Sequence, residues 1–469
     1  MLVHESDTIT AIATPIGEGG ISVVRVSGPG ALSIAQKGFK GKVELAAVPS
    51  HTAHFGSLID NTGETIDDVV ALVFRKPHSY TGEDVVELSC HGGMFVTRKL
   101  LETMIGFGAR LAQPGEFTKR AFLNGRMDLA QAEAVADLIH ARSQTAHRSS
   151  LFQLKGGLSD KINSIRDQLI NAISLLELEL DFAEEGYEFA NKSDVSSHIK
   201  SILNQIDELL SSYQIGKLYR EGVKVVLAGA PNVGKSSLLN ALLKQNRAIV
   251  TDIPGTTRDT IEESLTIGGL LFTVTDTAGL REATDPIELE GVRRAEEQLF
   301  NSDLLLLMFD CSRDLTEREV AYARRLLKDV RANRKACIEV INKIDLRRPD
   351  EKFLAEAGVP ADGYPIVRIS ARTAEGLDEL KSLLVNTVLT GKQISEESSP
   401  TITSARHQSA LTKAKESLML ALQSVTNKQS VEFVVVDLRA ALDSLGAIVG
   451  VVTTDDILNN IFSRFCIGK

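Results

Sequence analysis

The chain of 469 residues contains no tryptophan, and aromatic side chains make up only 5% of it. It also lacks any apolar run of the ~20 residues that a membrane-spanning helix needs, and its first residues show no secretory leader pattern. A cytoplasmic protein that does not enter membranes is expected. Its four cysteines, Cys90, Cys311, Cys337 and Cys466, are scattered without C-x-x-C spacing, so neither a zinc site nor a disulfide framework is indicated. Cys311 and Cys337 stand at or within apolar runs and are expected in a core. A basic excess is missing too: 52 Lys and Arg against 62 Asp and Glu give a net charge of −10. The basic clusters are short, such as Arg293-Arg294 and Arg324-Arg325, with no aromatics interleaved. Nucleic-acid binders usually carry a basic face, so any such contact should rest on a local patch or on a partner subunit.

What the chain does have is a phosphate cradle. Gly229-Ala230-Pro231-Asn232-Val233-Gly234-Lys235-Ser236 fits G-x-x-x-x-G-K-[ST]. It follows the β-branched run Val223 to Ala228 and precedes Ser236 to Lys244, whose apolar spacing is helical. A loop between a buried strand and a helix N-terminus presents backbone N–H groups and the positive end of the helix dipole to an anion. Lys235 is expected to reach the β and γ phosphates, and the Ser236 hydroxyl, followed by Ser237, to offer Mg²⁺ a hard oxygen ligand.

Three further short motifs follow in order. Asp276-Thr277-Ala278-Gly279 ends the apolar strand from Leu270, with Asp276 placed to hold magnesium through water and Gly279 to bring an N–H to the γ-phosphate. Asn342-Lys343-Ile344-Asp345 ends the strand Ala336 to Ile341. The Asp345 carboxylate can accept from the N1–H and 2-amino group of guanine; adenine would leave it unpaired, which is a strong basis for rejection. Ser370-Ala371-Arg372, after Ile366 to Ile369, is expected to supply backbone N–H to the guanine oxygen. The set predicts GTP as the ligand.

Thr251-Asp252-Ile253-Pro254-Gly255-Thr256-Thr257-Arg258-Asp259 fills the first switch position. Arg258 there is either an arginine finger or the ion-pair partner of Asp259. After Gly279 stands Leu280, not the glutamine that orients water in Ras-like proteins. The acidic stretch Glu282, Asp285, Glu288 and Glu290 is either a solvated surface or the source of a replacement.

At this point the chain resembles the MnmE (TrmE) family of tRNA-modification GTPases. Besides the GTPase motifs, the likeness rests on Ala13-Thr14-Pro15 with Gly19-Gly20, Thr81-Gly82-Glu83-Asp84, His91-Gly92-Gly93 and Pro114-Gly115-Glu116-Phe117. Ala121-Phe122-Leu123-Asn124, Asp128 to Ala134 and Cys466-Ile467-Gly468-Lys469 extend it. The resemblance implies a potassium-stimulated GTPase activated when two G domains meet. Asn232, the carbonyls of Thr251 and Ile253, and Thr256 would hold K⁺; Ser236 and Thr257 would hold Mg²⁺. A monovalent cation beside the phosphates supplies charge that an arginine finger supplies elsewhere. Glu288 falls on the family's water-orienting glutamate, which leaves Arg258 a structural role. Pro254 departs from the small residue of some relatives and implies a stiffer loop.

The resemblance also implies an N-terminal domain that binds a tetrahydrofolate derivative, 5-formyl- or 5,10-methylene-tetrahydrofolate. Arg25, Glu87, Arg126 and Lys469 fall at its contact positions. A carboxylate such as Glu87 can pair with the N–H and amino face of a pterin, and Arg or Lys suits its glutamyl carboxylates. Arg126 stands where some relatives have lysine, which keeps the charge and alters the geometry. Cys466 is either a nucleophile or a reduced thiol without a covalent role.

Periodicity divides the chain. Runs at Thr8 to Ala13, Ile21 to Val26, Val69 to Phe74 and Val85 to Leu88, with a helix over about Met94 to Ile105, read as an α/β domain. Helical spacing takes over through Leu151, Leu154, Leu158, Ile162, Ile165, Leu169, Ile173 and Leu176. It resumes over His407 to Leu422 and Val434 to Phe465, after the polar stretch Gly391 to Pro400. The expected class is α/β plus all-α: an N-terminal α/β folate-binding-like and dimerisation domain (1–120), a helical domain in two parts (121–218 and 389–469), and an inserted Ras-like P-loop G domain (219–388). Separate small bundles on either side of the G domain are the alternative.

The function this implies is GTP hydrolysis coupled to modification of C5 of the wobble uridine of certain tRNAs. It would act as a homodimer with an MnmG-like FAD- and NADH-dependent partner in an α2β2 complex. The competing reading is an Era-like, non-enzymatic RNA-assembly switch, which the GTPase motifs fit equally and the N-terminal and C-terminal motifs do not.

Overall fold

The structure is a computed structural model that describes residues 7–181, 192–246, 262–276, 302–357, 363–389, 401–463 and 465–469. The first switch (Thr251 to Thr257), Thr277 to Gly279, the acidic stretch with Glu288 and the expected linker Gly391 to Pro400 lie outside the described residues. Contacts divide the chain into two units, residues 1–136, 153–203 and 410–469, and residues 137–152 and 204–409. Among the described residues no helix is long and apolar enough to cross a membrane.

The first unit carries a seven-stranded sheet: β1 (Ile9–Ile12), β2 (Ser22–Ser27), β3 (Phe39–Gly41), β4 (Thr52–Ile59), β5 (Thr65–Phe74), β6 (Val85–Cys90) and β7 (Arg110–Leu111), in the order β3-β4-β5-β6-β2-β1-β7. Its pairings are antiparallel except β1 with β7. Helices Ala31–Gly38 and Met94–Gly106 bury Ala31, Ala35, Leu100 and Met104 against Val24, Val26, Val86 and Leu88. Two-fold alternation along β2 and β6 puts one apolar face inward, as half-buried strands require. The sequence reading passes over β4. His54, Gly56 and Ser57 interrupt its apolar pattern, and its first half is largely open to solvent.

Helix Gly157–Asp181 packs against Val431–Val449 in the same unit. The helical run expected over Val434 to Phe465 is two helices, Val431–Val449 and Asp455–Phe462. Gly450 ends the first with φ of 85°, and a Cβ there would lie 2.7 Å from the Phe122 ring. Only glycine takes that left-handed position without strain.

The second unit holds a six-stranded sheet: β8 (Val223–Gly229), β9 (Glu262–Ile267), β10 (Leu270–Asp276), β11 (Leu304–Asp310), β12 (Ala336–Asn342) and β13 (Ile366–Arg368), in the order β13-β12-β11-β8-β10-β9. All neighbours run parallel except β9 with β10. Those two meet in the expected hairpin turn, where Gly268 and Gly269 take φ of 56° and 82°, the positive pair that a two-residue turn matched to strand twist demands. One face of the sheet packs on Leu238, Leu242, Leu380 and Leu384, the other on Ala323, Leu326, Leu327 and Val330. Parallel strands buried on both faces explain runs such as Leu304 to Phe309, which are apolar throughout.

The chain reaches β8 from helix Lys192–Glu221 and, past Leu389, comes back against that helix: the Ile402 N–H donates to Ser212 Oγ at 3.1 Å, and a Cβ on Gly216 would run into the Ile402 carbonyl. Entry and exit therefore lie side by side, as the ends of an inserted domain must. The G domain is an insertion within the helical domain.

Candidate functional site

Ligands bind parallel α/β sheets at the carboxyl ends of the strands, and β8, β11, β12 and β13 converge there. β8 ends at Gly229, whose φ of 152° and closeness to the Met308 carbonyl leave no room for a side chain. Asn232 turns the loop with φ of 63°, and Gly234 follows with φ of 102°. Helix Lys235–Asn246 then begins, its Leu238 N–H bonded to the Gly234 carbonyl. Val233 is buried; Asn232, Ser236 and Ser237 are exposed at the mouth of the loop. Lys235 is buried, with Nζ donating to the Gly229 and Ala230 carbonyls at 2.7 and 3.0 Å, across the loop it closes.

Asn342 stands at the end of β12, 2% exposed. Its Nδ2 donates to the Val233 carbonyl at 2.8 Å, and its Oδ1 accepts from the Ala371 N–H at 3.0 Å. One amide thus joins the phosphate loop, the Asn342–Asp345 motif and the Ser370–Arg372 motif. A Cβ on Gly234 would collide with Asn342 Nδ2, so the glycine is there for the asparagine. Of the Ser370–Arg372 motif, from which a backbone N–H to the guanine oxygen is expected, the Ala371 N–H is donated to Asn342 here, because the buried amide oxygen needs a donor.

Lys343 adopts φ of 68° and donates to the Asn232 carbonyl at 2.9 Å and to Asp310 Oδ2 at 2.6 Å. Ile344 is buried beneath. Asp345 Oδ1 accepts from Ser370 Oγ at 2.7 Å, and Oδ2 pairs with Arg372 at 2.6 Å. The Ser370 hydroxyl and then Arg372 hold this carboxyl below the usual aspartate range, so it is an acceptor, as reading two N–H groups requires.

Asp310 escaped the sequence reading. Burial pushes its carboxyl up, but Lys343 and the Ser312 hydroxyl and N–H outweigh that and hold it below its ordinary value. Its signal was an acid ending an apolar strand in register with Asn342. Cys311 beside it is core, as expected: burial pushes its thiol up to about 11, and Sγ lies 3.1 Å from the Asn342 carbonyl.

In the first unit, Arg25 on β2 and Glu87 on β6 are direct cross-strand partners. Arg25 Nε and a terminal nitrogen meet Glu87 Oε1 at 2.8 and 2.7 Å, so Oε2 is left to accept from another donor. The guanidinium lies over Tyr80 at 5.3 Å and Phe117 at 5.5 Å. Neither ring entered the sequence reading, although Phe117 closes one of the quoted motifs. Arg25 also donates to the Gly468 carbonyl at 3.4 Å, and Lys469 Nζ stands 5.9 Å from the Tyr80 ring centre. Gly468, with φ of 100°, sits so close to the Ile12 carbonyl that no Cβ fits. Burial, with Arg25 nearby, holds the Lys469 ammonium below its usual value. Arg25, Glu87 and Lys469 therefore come together. Arg126 lines a cleft to which Tyr80 also belongs. Cys466 is exposed.

The other quoted motifs build the frame. Arg120, 7% exposed, binds Asp7 at 2.6 Å, Glu116 at 3.0 Å and Glu83 at 3.2 Å. Glu83 also accepts from Ser27 Oγ at 2.7 Å, next to Thr81. The glutamates of Thr81-Gly82-Glu83-Asp84 and Pro114-Gly115-Glu116-Phe117 are thus partners of one buried arginine.

Two family descriptions match the chain: "GTP-binding protein TrmE N-terminus" over residues 8–126 and "MnmE helical domain" over residues 129–466. The chain is 46% identical to the tRNA modification GTPase MnmE of Salinibacter ruber over 470 residues, covering all of both chains. It is 46% identical to that of Chlorobium phaeobacteroides, covering 100% of this chain and 98% of the relative, and 44% identical to that of Chlorobaculum tepidum, covering 98% and 97%. The helical match runs through both flanks of the inserted G domain, and the identity extends across all three parts, so the chain belongs to the MnmE (TrmE) family of tRNA modification GTPases.

Proposed function

We propose that this protein hydrolyses GTP to drive a conformational cycle and, with an MnmG-like FAD- and NADH-dependent partner, installs a (carboxymethyl)aminomethyl group at C5 of the wobble uridine of certain tRNAs. The carbon unit comes from a folate. The observation that carries the reading is the presence in one chain of two separate binding constellations: a guanine reader tied to a phosphate loop by Asn342, and an Arg25–Glu87 pair with Lys469 beside aromatic rings. A switch that only rode on RNA would have no use for the second.

The donor set suits a pterin. Glu87 Oε2 accepts from the ring N–H and amino groups, while Arg25 is stacked on Tyr80 and Phe117 and cannot swing away. Arg126 and Lys469 add positive charge for the ligand's carboxylates. The bound folate supplies the one-carbon unit; the side chains here bind and orient it. Cys466 is kept outside the chemistry in this reading.

In the G domain, Lys235 leaves its two loop carbonyls for the β and γ phosphates, and Asp345 reads guanine. Exposed Ser236 and Asn232 are oxygen donors of the kind Mg²⁺ and K⁺ take. Thr257 and Asp276 would join Ser236 in holding magnesium, and Thr251, Ile253 and Thr256 would join Asn232 in holding potassium. When bound, the two cations would offset charge that builds on the phosphates, and Glu288 would orient the attacking water. Pairing of two G domains within a cytoplasmic homodimer brings these groups together, and their separation after hydrolysis moves the helical domains.

Two measurements test this. Deleting the gene should leave wobble uridines unmodified in tRNA; normal modification would sink the assignment. GTP turnover should be faster in KCl than in NaCl at equal ionic strength and should collapse in Glu288→Ala, whereas equal rates in the two salts would remove potassium from the mechanism.

A further inference from the structure

Beside the Arg25–Glu87–Lys469 cluster lies a cleft of about 460 Å³ lined by His51, Phe74, His78, Ser79, Tyr80 and Arg126. Tyr80 belongs to both: its ring centre lies 5.3 Å from the Arg25 guanidinium and 5.9 Å from Lys469 Nζ, it lines the cleft, and it is pinned by a 2.8 Å hydrogen bond between its hydroxyl group and the Thr118 hydroxyl.

The chemistry of the lining is one-sided. Three of the six side chains are cationic or can become so, two are aromatic, and none is acidic. In a chain of net charge −10 that arrangement is selective. Arg126 makes no ion pair or side-chain hydrogen bond among the described residues, and its stem packs against Gly82, where a Cβ would lie 3.2 Å from Arg126 Cγ. Arg75 nearby is different, since its guanidinium is used by the Ala46 and Val48 carbonyls. His51 is fixed in place: φ of 65°, Nδ1 2.8 Å from Ser50 Oγ, and its ring edge-on to Phe74 with centroids 5.3 Å apart. Nε2 is then its one ring nitrogen left for a ligand. His78 is exposed, and its backbone N–H, donated to the Arg75 carbonyl, fixes the turn that carries it. An imidazole offers an N–H donor in either protonation state.

Aromatic walls with three nitrogen donors and no carboxylate suit a flat aryl group that carries several carboxylates. We propose that this cleft is the subsite for the arylglutamyl tail of the folate, and that His51 and His78, beyond Arg126, make the protein select tails with more than one glutamyl residue. The inference rests on the folate reading above. Glu87 would take the pterin, Tyr80 would flank the aryl ring, and the imidazoles of His51 and His78 would take the carboxylates of added glutamates.

The test is calorimetric titration of the full-length protein, without nucleotide or tRNA, using three probes: 5-formyltetrahydropteroate, 5-formyltetrahydrofolate and its triglutamate. Expected is a gain of about tenfold from mono- to triglutamate, the scale of one charge-assisted hydrogen bond. The double variant His51→Asn, His78→Ala should erase that gain while keeping monoglutamate affinity; asparagine tolerates the left-handed backbone at position 51 but is too short to reach. Equal binding of mono- and triglutamate by the unaltered protein, or a preference that survives the double variant, overturns the subsite. Failure of all three probes to bind overturns the folate reading itself, and a preserved monoglutamate affinity without length preference overturns only this inference.

Discussion

The Asn342 side chain donates to the Val233 carbonyl at 2.8 Å, across 109 residues of sequence, and ties the Asn342–Asp345 motif to the Gly229–Ser236 loop. With Oδ1 bonded to Ala371, both ends of the amide are used inside the protein. Asn342 is thus a brace for two binding loops. Asn342→Ala should weaken GDP and IDP by the same factor, about tenfold, since removing one buried amide leaves two backbone groups unsatisfied at roughly 1–3 kcal/mol. Fluorescent-nucleotide titration checks it. A loss confined to GDP would mean that Asn342 reads the 2-amino group.

Asp345 should behave in the opposite way. Its carboxylate is held by Ser370 and Arg372 with the charge intact. Asp345→Asn replaces an acceptor with an amide that donates to a 2-oxo group. GDP affinity should fall ~100-fold or more, and XDP should become the better ligand, because sites built around a buried hydrogen bond reject the wrong partner strongly. If XDP gains nothing, the carboxylate is not what selects the base.

The phosphate loop and the guanine motifs were legible because their chemistry is local: Gly234, Lys235 and Ser236 need only a strand before them and a helix after. Asp310 was not, since its place beside Lys343 comes from the β11–β12 register and no motif marks it. Arg25 and Glu87 are 62 residues apart and meet only through strand pairing, so the sequence could point to each without showing that they touch. β4 was missed because its polar residues face outward near a sheet edge. The helix break at Gly450 was missed because the reason for it, the Phe122 ring, lies far away in sequence. Lys469 gains its environment only when Gly468 lets the chain lie on β1.

The Arg120 cluster predicts an acid-labile N-terminal unit. Arg110 and then Arg120 hold Asp7 below its ordinary value of 3.8. Burial pushes Glu116 up, but Arg110, the Gln113 N–H and Arg120 bring it below its ordinary 4.5. Carboxyls depressed in the folded state favour folding above their ordinary values, and this stabilisation is lost as pH falls through the folded ones. Arg120→Met should destabilise by about 3 kcal/mol at pH 7, because the buried Glu116 carboxylate loses one of its two guanidinium partners and keeps only Arg110. Urea midpoints for the two proteins should converge toward pH 3. A deficit that stays constant with pH would trace the loss to packing.

Glu339 predicts the reverse pH dependence in the G domain. It stands on β12, 2% exposed, among the side chains of the sheet core, and its Oε2 is buried without a hydrogen-bond partner. Burial pushes its carboxyl up from 4.5 to about 7. A raised acid binds its proton more tightly folded than unfolded, so the stability it allows is complete below about 4.5 and declines as pH rises to about 7. The full decline corresponds to about 3 kcal/mol, at 1.36 kcal/mol per pKa unit. Glu339→Gln removes the ionisation and keeps the shape. Its G-domain melting temperature should change little between pH 5.5 and 8, while that of the unaltered protein falls by several degrees. Parallel curves for the two would show that Glu339 ionises in the folded protein as readily as in the unfolded chain.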